Sequence, residues 1–218
     1  MEQEKEEAKK KNKDSTSAIF YVVLLLSVLL IFFFIGRTLN SKDLIKETIE
    51  KGETENSYIY NGFVFFYQDN LWNTRWQRDD VEYSIHFHFG PREAQGVPVY
   101  GGLKPNLNTS KFYITFDPED KNLSMVSLAA NELALSLTKV FNVKIEPACT
   151  VNKTDACVSR PIITCNNTKE AVLYLKTESP AMVDIEDNCI TIQGEGYDIV
   201  KAADKMLFNL YGIVPHTK

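Results

Sequence analysis

Two histidines, His86 and His88, stand two apart in the run Tyr-Ser-Ile-His-Phe-His-Phe. Side chains on a strand alternate between faces, so both imidazoles project to one side and Ile85, Phe87 and Phe89 to the other. Such an H-x-H pair can offer two nitrogen ligands to a metal ion, with a third from elsewhere. Asp79, Asp80 and Glu82 are the nearest acids in the chain. The same histidines also suit the polar face of a half-buried strand. Asp117, Glu119 and Asp120 follow the strand-like run KFYITF, where carboxylates can bind calcium or transfer protons. Their DPED segment lacks the glycine and spacing of an EF-hand loop and fits equally as a turn into a helix. Gly194-Glu195-Gly196 joins a strand to a helix, a place for phosphate. Position 199 is Ile, however, where G-x-G-x-x-G has its third glycine. No G-x-S-x-G is present, and the third histidine, His216, lies near the C-terminus. Trp72 and Trp76 share a strand face and could stack on sugars or fill a core.

Positioning these residues requires strands and two helices. Residues 58–89 read as an antiparallel meander, turned at Asn61-Gly62, Asp69-Asn70 and Asp79-Asp80. Phe63, Phe65 and Tyr67 share one face, as do Trp72, Thr74 and Trp76. Residues 96–108 form a Gly/Pro/Asn-rich loop before a strand at 111–116. A helix over 124–141 carries Val126, Ala130, Leu133, Leu137 and Val140 at helical spacing, with Glu132 and Lys139 its only charges. Short strands follow at 143–145, 161–164, 171–176, 182–185 and 189–193. The helix over 197–211 has Ile199, Ala203, Met206 and Leu210 inside and Asp198, Lys201, Asp204 and Lys205 outside. The fold class is α+β: an antiparallel-sheet domain with two packed helices.

Residues 18–35, AIFYVVLLLSVLLIFFFI, contain no charge. As a helix they span about 27 Å, close to the hydrocarbon thickness of a bilayer, about 30 Å. A helix satisfies its own backbone polar groups, which lipid cannot do. The run is longer than a cleavable signal core, and residues 36–40 offer no Ala-x-Ala site. It reads as an uncleaved signal anchor. Residues 1–17 then form a disordered charged tail, 18–36 the transmembrane anchor, 37–56 a stalk or short amphipathic helix, and 57–218 an extracytoplasmic α+β domain. The chain has 218 residues and a net charge of −5. The tail carries five basic and five acidic residues, so the negative balance lies beyond the anchor, which argues against a nucleic-acid partner.

Cys149, Cys157, Cys165 and Cys189 all lie in the last third of the chain. An even count behind an export signal implies two disulfides. Three pairings exist; the local one, Cys149–Cys157 with Cys165–Cys189, is favoured. Spacings of eight, eight and twenty-four do not suit zinc. Four N-x-S/T sequons, at Asn108, Asn122, Asn152 and Asn166, also follow the anchor, and none precedes it. Cysteines and sequons together orient the chain with its N-terminus cytoplasmic and its C-terminal domain outside the cell membrane.

Tyr60-Asn61-Gly62-Phe63, Phe89-Gly90-Pro91-Arg92-Glu93, Ile114-Thr115-Phe116-Asp117-Pro118, Ala148-Cys149-Thr150, Arg160-Pro161-Ile162-Ile163-Thr164-Cys165 and residues 192–213 resemble uncharacterised single-anchor exported surface proteins of small-genome archaea. The resemblance covers most of the exported region. The ending, with Ala202-Ala203-Asp204 and Leu210-Tyr211-Gly212-Ile213, is similar to the strand–helix ending of archaeal surface-layer and secreted proteins. Such families carry no established activity, so the resemblance implies a compartment and a source and transfers no catalytic residue. Nothing in the pattern implies a cofactor. The expected function is a membrane-tethered extracytoplasmic binding or structural module, meeting the lipid bilayer through residues 18–35 and contacting envelope proteins or glycans. The alternative is a membrane-anchored metal-dependent or carbohydrate-active hydrolase using His86, His88 and nearby acids.

Overall fold

The computed structural model describes residues 2–104 and 107–214, without the side chains of 2–19 and 37–42. The chain forms two compact units, Met1–Gly52 and Glu53–Lys218.

The first unit is a single helix, α1 (Glu2–Lys51). By sequence this stretch reads as a charged tail, a span and a stalk or short amphipathic helix over 37–56; in the structure one helix runs through the first two and into the third as far as Lys51. Every large apolar side chain from Phe20 to Ile35 is exposed, from 42% at Val28 to 68% at Phe32. Among the described residues no helix is long and apolar enough to cross a membrane. The side chains of Ala18 and Ile19, at the start of the expected span, lie outside the described residues.

The second unit opens with the expected meander: β1 (Ser57–Tyr60), β2 (Phe63–Gln68), β3 (Leu71–Arg78) and β4 (Val81–Phe87), paired antiparallel in that order. Its three turns place Asn61-Gly62, Asp69-Asn70 and Asp79-Asp80 at positive φ. Two such residues in succession twist the chain in the hand that strand pairing needs. Trp72 lies opposite Phe87 and Thr74 opposite Ile85, so one face of the sheet is aromatic and apolar.

The other sheet departs from the expected antiparallel pattern. Its strands are β5 (Val99–Gly101), β6 (Lys111–Phe116), β7 (Lys144–Cys149), β8 (Ala171–Lys176), β9 (Met182–Glu186) and β10 (Cys189–Gln193), in the order β5-β9-β10-β8-β6-β7. Only β9 and β10 run antiparallel; the other four pairings are parallel. The helix α2 (Leu123–Phe141) crosses from β6 to β7, and parallel neighbours require such a crossover. β5 lies in a stretch expected to be loop. The strand expected at 161–164 is a single bridge, Cys149 to Ile162.

α2 and α4 (Asp198–Leu210) pack on each other and on the second sheet. The meander's aromatic face covers α4: Phe208 lies 4.5 Å from Phe87 and 6.1 Å from Phe65, centroid to centroid. α4 is thus covered on two sides, and nine of its thirteen residues are buried. Trp72 and Trp76 belong to this core. Trp72 lies 4.8 Å from the Tyr58 ring, and Trp76 Nε1 donates to the Tyr211 carbonyl at 2.8 Å. Trp72 is buried and Trp76 half-buried, so both rings are engaged in this core.

Both disulfides form in the favoured pairing, with Cα separations of 6.0 Å for Cys149–Cys157 and 5.4 Å for Cys165–Cys189. The first clips the loop holding α3 (Asp155–Val158) to the end of β7. The second ties the loop before β8 to the start of β10. Their loops span 8 and 24 residues, so chain entropy assigns them roughly 2.5 and 3.5 kcal/mol. Cys165→Ala with Cys189→Ala should therefore lower the urea midpoint more than Cys149→Ala with Cys157→Ala. Equal shifts would refute this loop-length ordering.

Candidate functional site

His86 on β4 and His88 just past its end both face α2, and between the strand and the helix lies a cleft of about 390 Å3. Its floor and walls include Ser84, Ile85, both histidines, Leu128, Glu132, Leu135 and Lys139. His86 is exposed, and its Nδ1 meets the Asn73 side-chain oxygen. Asn73 is fixed in turn, donating to the carbonyls of Leu71 and Gln68 at 2.7 and 3.2 Å. His88 is half-buried, and its Nδ1 is bonded to Glu132 Oε1. The Tyr197 ring stands edge-on to it at 6.0 Å.

Behind Glu132 lies Asp204, fully buried. The backbone N–H of Phe89 donates to Asp204 Oδ2 at 2.8 Å, and the N–H of His88 also points at this carboxyl group. Glu132 Oε2 and Asp204 Oδ1 are both buried without a donor from any other group, and the two carboxyl groups are within hydrogen-bonding reach of each other. Two acceptors can meet in that way only when one of them carries a proton. Burial raises the pKa of both acids. For Glu132 the adjacent His88 opposes the rise; for Asp204 the charge of Glu132 adds to it. Desolvation disfavours a charged carboxylate, and a like charge beside it disfavours it further. The result is a relay from cleft to core: imidazole, carboxyl, carboxyl, with one proton in the His88–Glu132 bond and a second shared between the two acids. It fixes the orientation of His88 and ties β4, α2 and α4 together.

Asp204 corrects the sequence reading, which placed it on the outer face of α4. Its helical neighbours at i−4 and i+4, Val200 and Phe208, are both fully buried, and residues four apart share a helix face. That spacing was the available signal. By sequence Glu132 is only one of the few charges on α2, and its pairing with His88 depends on how α2 meets β4.

The other candidates separate. Among the described residues no group of three or more His, Cys, Asp or Glu is arranged to hold a metal ion. Asp117 Oδ1 accepts the Glu119 N–H at 2.9 Å, and Asp120 Oδ1 accepts the Asn122 N–H at 2.7 Å. Glu119 pairs with Lys153 at 2.8 Å. The three acids therefore shape the turn into α2 and do not converge on the histidines. Gly194 is a tight connection: an added Cβ would lie 2.4 Å from the Ile199 nitrogen. Of the sequon asparagines, Asn108, Asn152 and Asn166 are exposed and Asn122 is half-buried before α2. Asn108 also borders a second cavity of about 530 Å3, walled by Phe112, Leu137, Leu173 and Ile190. That cavity holds no acid, and its Arg78 already donates to the Val140 carbonyl at 3.1 Å. His216 and Pro215 lie outside the described residues, as do 105–106.

No family model, curated protein or solved structure matches this chain.

Proposed function

We propose that the chain is a membrane-tethered binding module of the cell envelope, with its N-terminus cytoplasmic and its disulfide-bonded region outside. One observation carries this reading: the apolar side chains from Phe20 to Ile35 stand exposed all along a helix. A contiguous apolar surface of that size marks contact with a membrane or a partner, and it meets the charge-free run of residues 18–35. The two disulfides support an oxidising compartment for the second unit. Envelope proteins and glycans are the partners that such a compartment offers.

Two measurements test the tether and its direction. The full-length protein should stay with membranes through carbonate extraction, and release into the supernatant would remove the anchor. Protease added to intact cells should digest the second unit. Survival until the membrane is permeabilised would reverse the orientation.

A second reading, an anchored hydrolase, has one favouring feature: Glu132 holds Nδ1 of His88, the arrangement that orients an imidazole as a general base. Chromogenic ester and glycoside turnover, lost in His88→Gln, is the outcome that reading requires.

A further inference from the structure

We propose that the cleft between β4 and α2 docks the C-terminal segment of an extended peptide, which adds to β4 as a further strand. The proposal rests on the binding-module reading and names its partner class; it does not depend on the membrane anchor.

The sheet edges carry the first part. Exposed edges are templates for pairing, and proteins guard them with short strands, prolines or covering loops. Three of the four edges are guarded. β1 has four residues and β5 three. β7 contains Pro147 and is bridged at Cys149 by Ile162. β4 closes the meander on its outer side, and among the described residues no further strand pairs with it. It has seven residues and no proline. A run of that length can pair with four to six residues of an extended segment.

The second part is the facing wall. α2 runs antiparallel to β4, pinned at two points. The Arg78 side chain, at the β3–β4 turn, bonds the Val140 carbonyl, and His88, just past β4, bonds Glu132. Between and beyond these pins α2 presents Leu128 and Leu135 to the cleft. Leu135 is 60% exposed, a large apolar side chain on a helix face whose other exposed residues include Ser127, Asn131 and Thr138. An added strand sends alternate side chains toward such a wall.

Charge decides the end of the segment. Among the described residues Glu132 is the only carboxylate lining the cleft, and it is engaged by His88. Lys139 is exposed in the lining and pairs with no acid among the described residues. A free carboxylate fits beside Lys139, two turns of α2 beyond Glu132. Because the α2 C-terminus lies beside the start of β4, a peptide ending at Lys139 runs antiparallel to β4.

The probe is a fluorescein-labelled hexapeptide pool, degenerate at five positions and ending in valine with a free carboxylate. It is titrated by polarisation into the full chain in detergent micelles. Saturable binding is expected, with affinity reduced at least tenfold by C-terminal amidation and by Lys139→Glu, and lost in Leu135→Asp. Both substituted positions are exposed, so the fold should survive, and circular dichroism checks that it does. Hydrogen exchange should slow in residues 81–87 when the pool is bound. Absence of binding, equal binding of the amidated pool, or protection away from β4 overturns the proposal. If the peptide pool fails while a mannan oligosaccharide binds, the chain remains a binding module and the peptide assignment falls. Carbonate extraction is unaffected by either result.

Discussion

Replacing Phe208 by alanine should destabilise the folded second unit by about 3–5 kcal/mol. The ring is fully buried. It meets Phe65 edge-on at 86° and Phe87 at 54°, so it is the point where α4 holds two strands of the meander. Truncation removes those aromatic contacts and opens a cavity that neighbours on two different elements cannot easily fill. Against a typical total stability of about 5–15 kcal/mol, this is a large fraction. Urea unfolding followed by tryptophan fluorescence reads it directly, because Trp72 and Trp76 both lie on β3. The comparison is Leu135→Ala, at an exposed position, where a change within about 0.5 kcal/mol is expected. Equal shifts in the two variants would mean that the meander is held to α4 by something other than this cluster.

The second large effect is in pH. Glu132 and Asp204 both have raised pKa values, chiefly through burial. In the unfolded chain such acids titrate near pH 4. The folded protein therefore keeps a proton that the unfolded chain has already lost. The stabilisation this gives is fully present below about pH 4 and is lost as pH rises through the folded pKa values. Each unit of displacement is worth about 1.4 kcal/mol. His88 on the β4 side and Tyr197 before α4 are the other titratable groups facing the pair. Glu146 has the opposite sign: Lys144 and Lys111 hold it down to about 2. Its side chain is half-buried and close to a third exposed, so solvent screening leaves it a weak contributor on the acid side. Asp204→Asn should replace the shared proton with a permanent amide donor while still accepting the Phe89 N–H. Its stability should change less between pH 5 and 8 than that of the native chain, and it should exceed the native chain at pH 8. A native slope unchanged by the substitution would show that no proton is shared at that point.

Much of the scaffold around the cleft is written locally. The meander was legible because Asn61-Gly62, Asp69-Asn70 and Asp79-Asp80 each adopt positive φ readily and period-two aromatics fix the register. The sequence order 111–116, 123–141, 144–149 also contained strand, helix and strand. That β6 and β7 then lie side by side and parallel is a pairing choice, and no local signal distinguished it from an antiparallel arrangement. The same limit applies to the site. His86 and His88 were visible as a pair on one strand face. Their partners turned out to be Asn73 across the ladder and Glu132 on α2, not a common metal ion.

What the sequence determined by itself is what depends on neighbours a few residues away. This covers the helical period of α2 and α4, the turns of the meander, the charge-free run at 18–35 and the short loops closed by Cys149–Cys157 and Cys165–Cys189. Tertiary structure alone decided which helix faces are covered. A helix packed on one sheet has an outer face for charges such as Asp204. α4 is covered by a second sheet as well, and the face that reads as outer is then buried. Burying a carboxyl group without a cation requires a hydrogen-bonding partner and a proton. Glu132 and the Phe89 N–H, supplied by elements 72 and 115 residues away in the chain (204 − 132 and 204 − 89), meet that requirement.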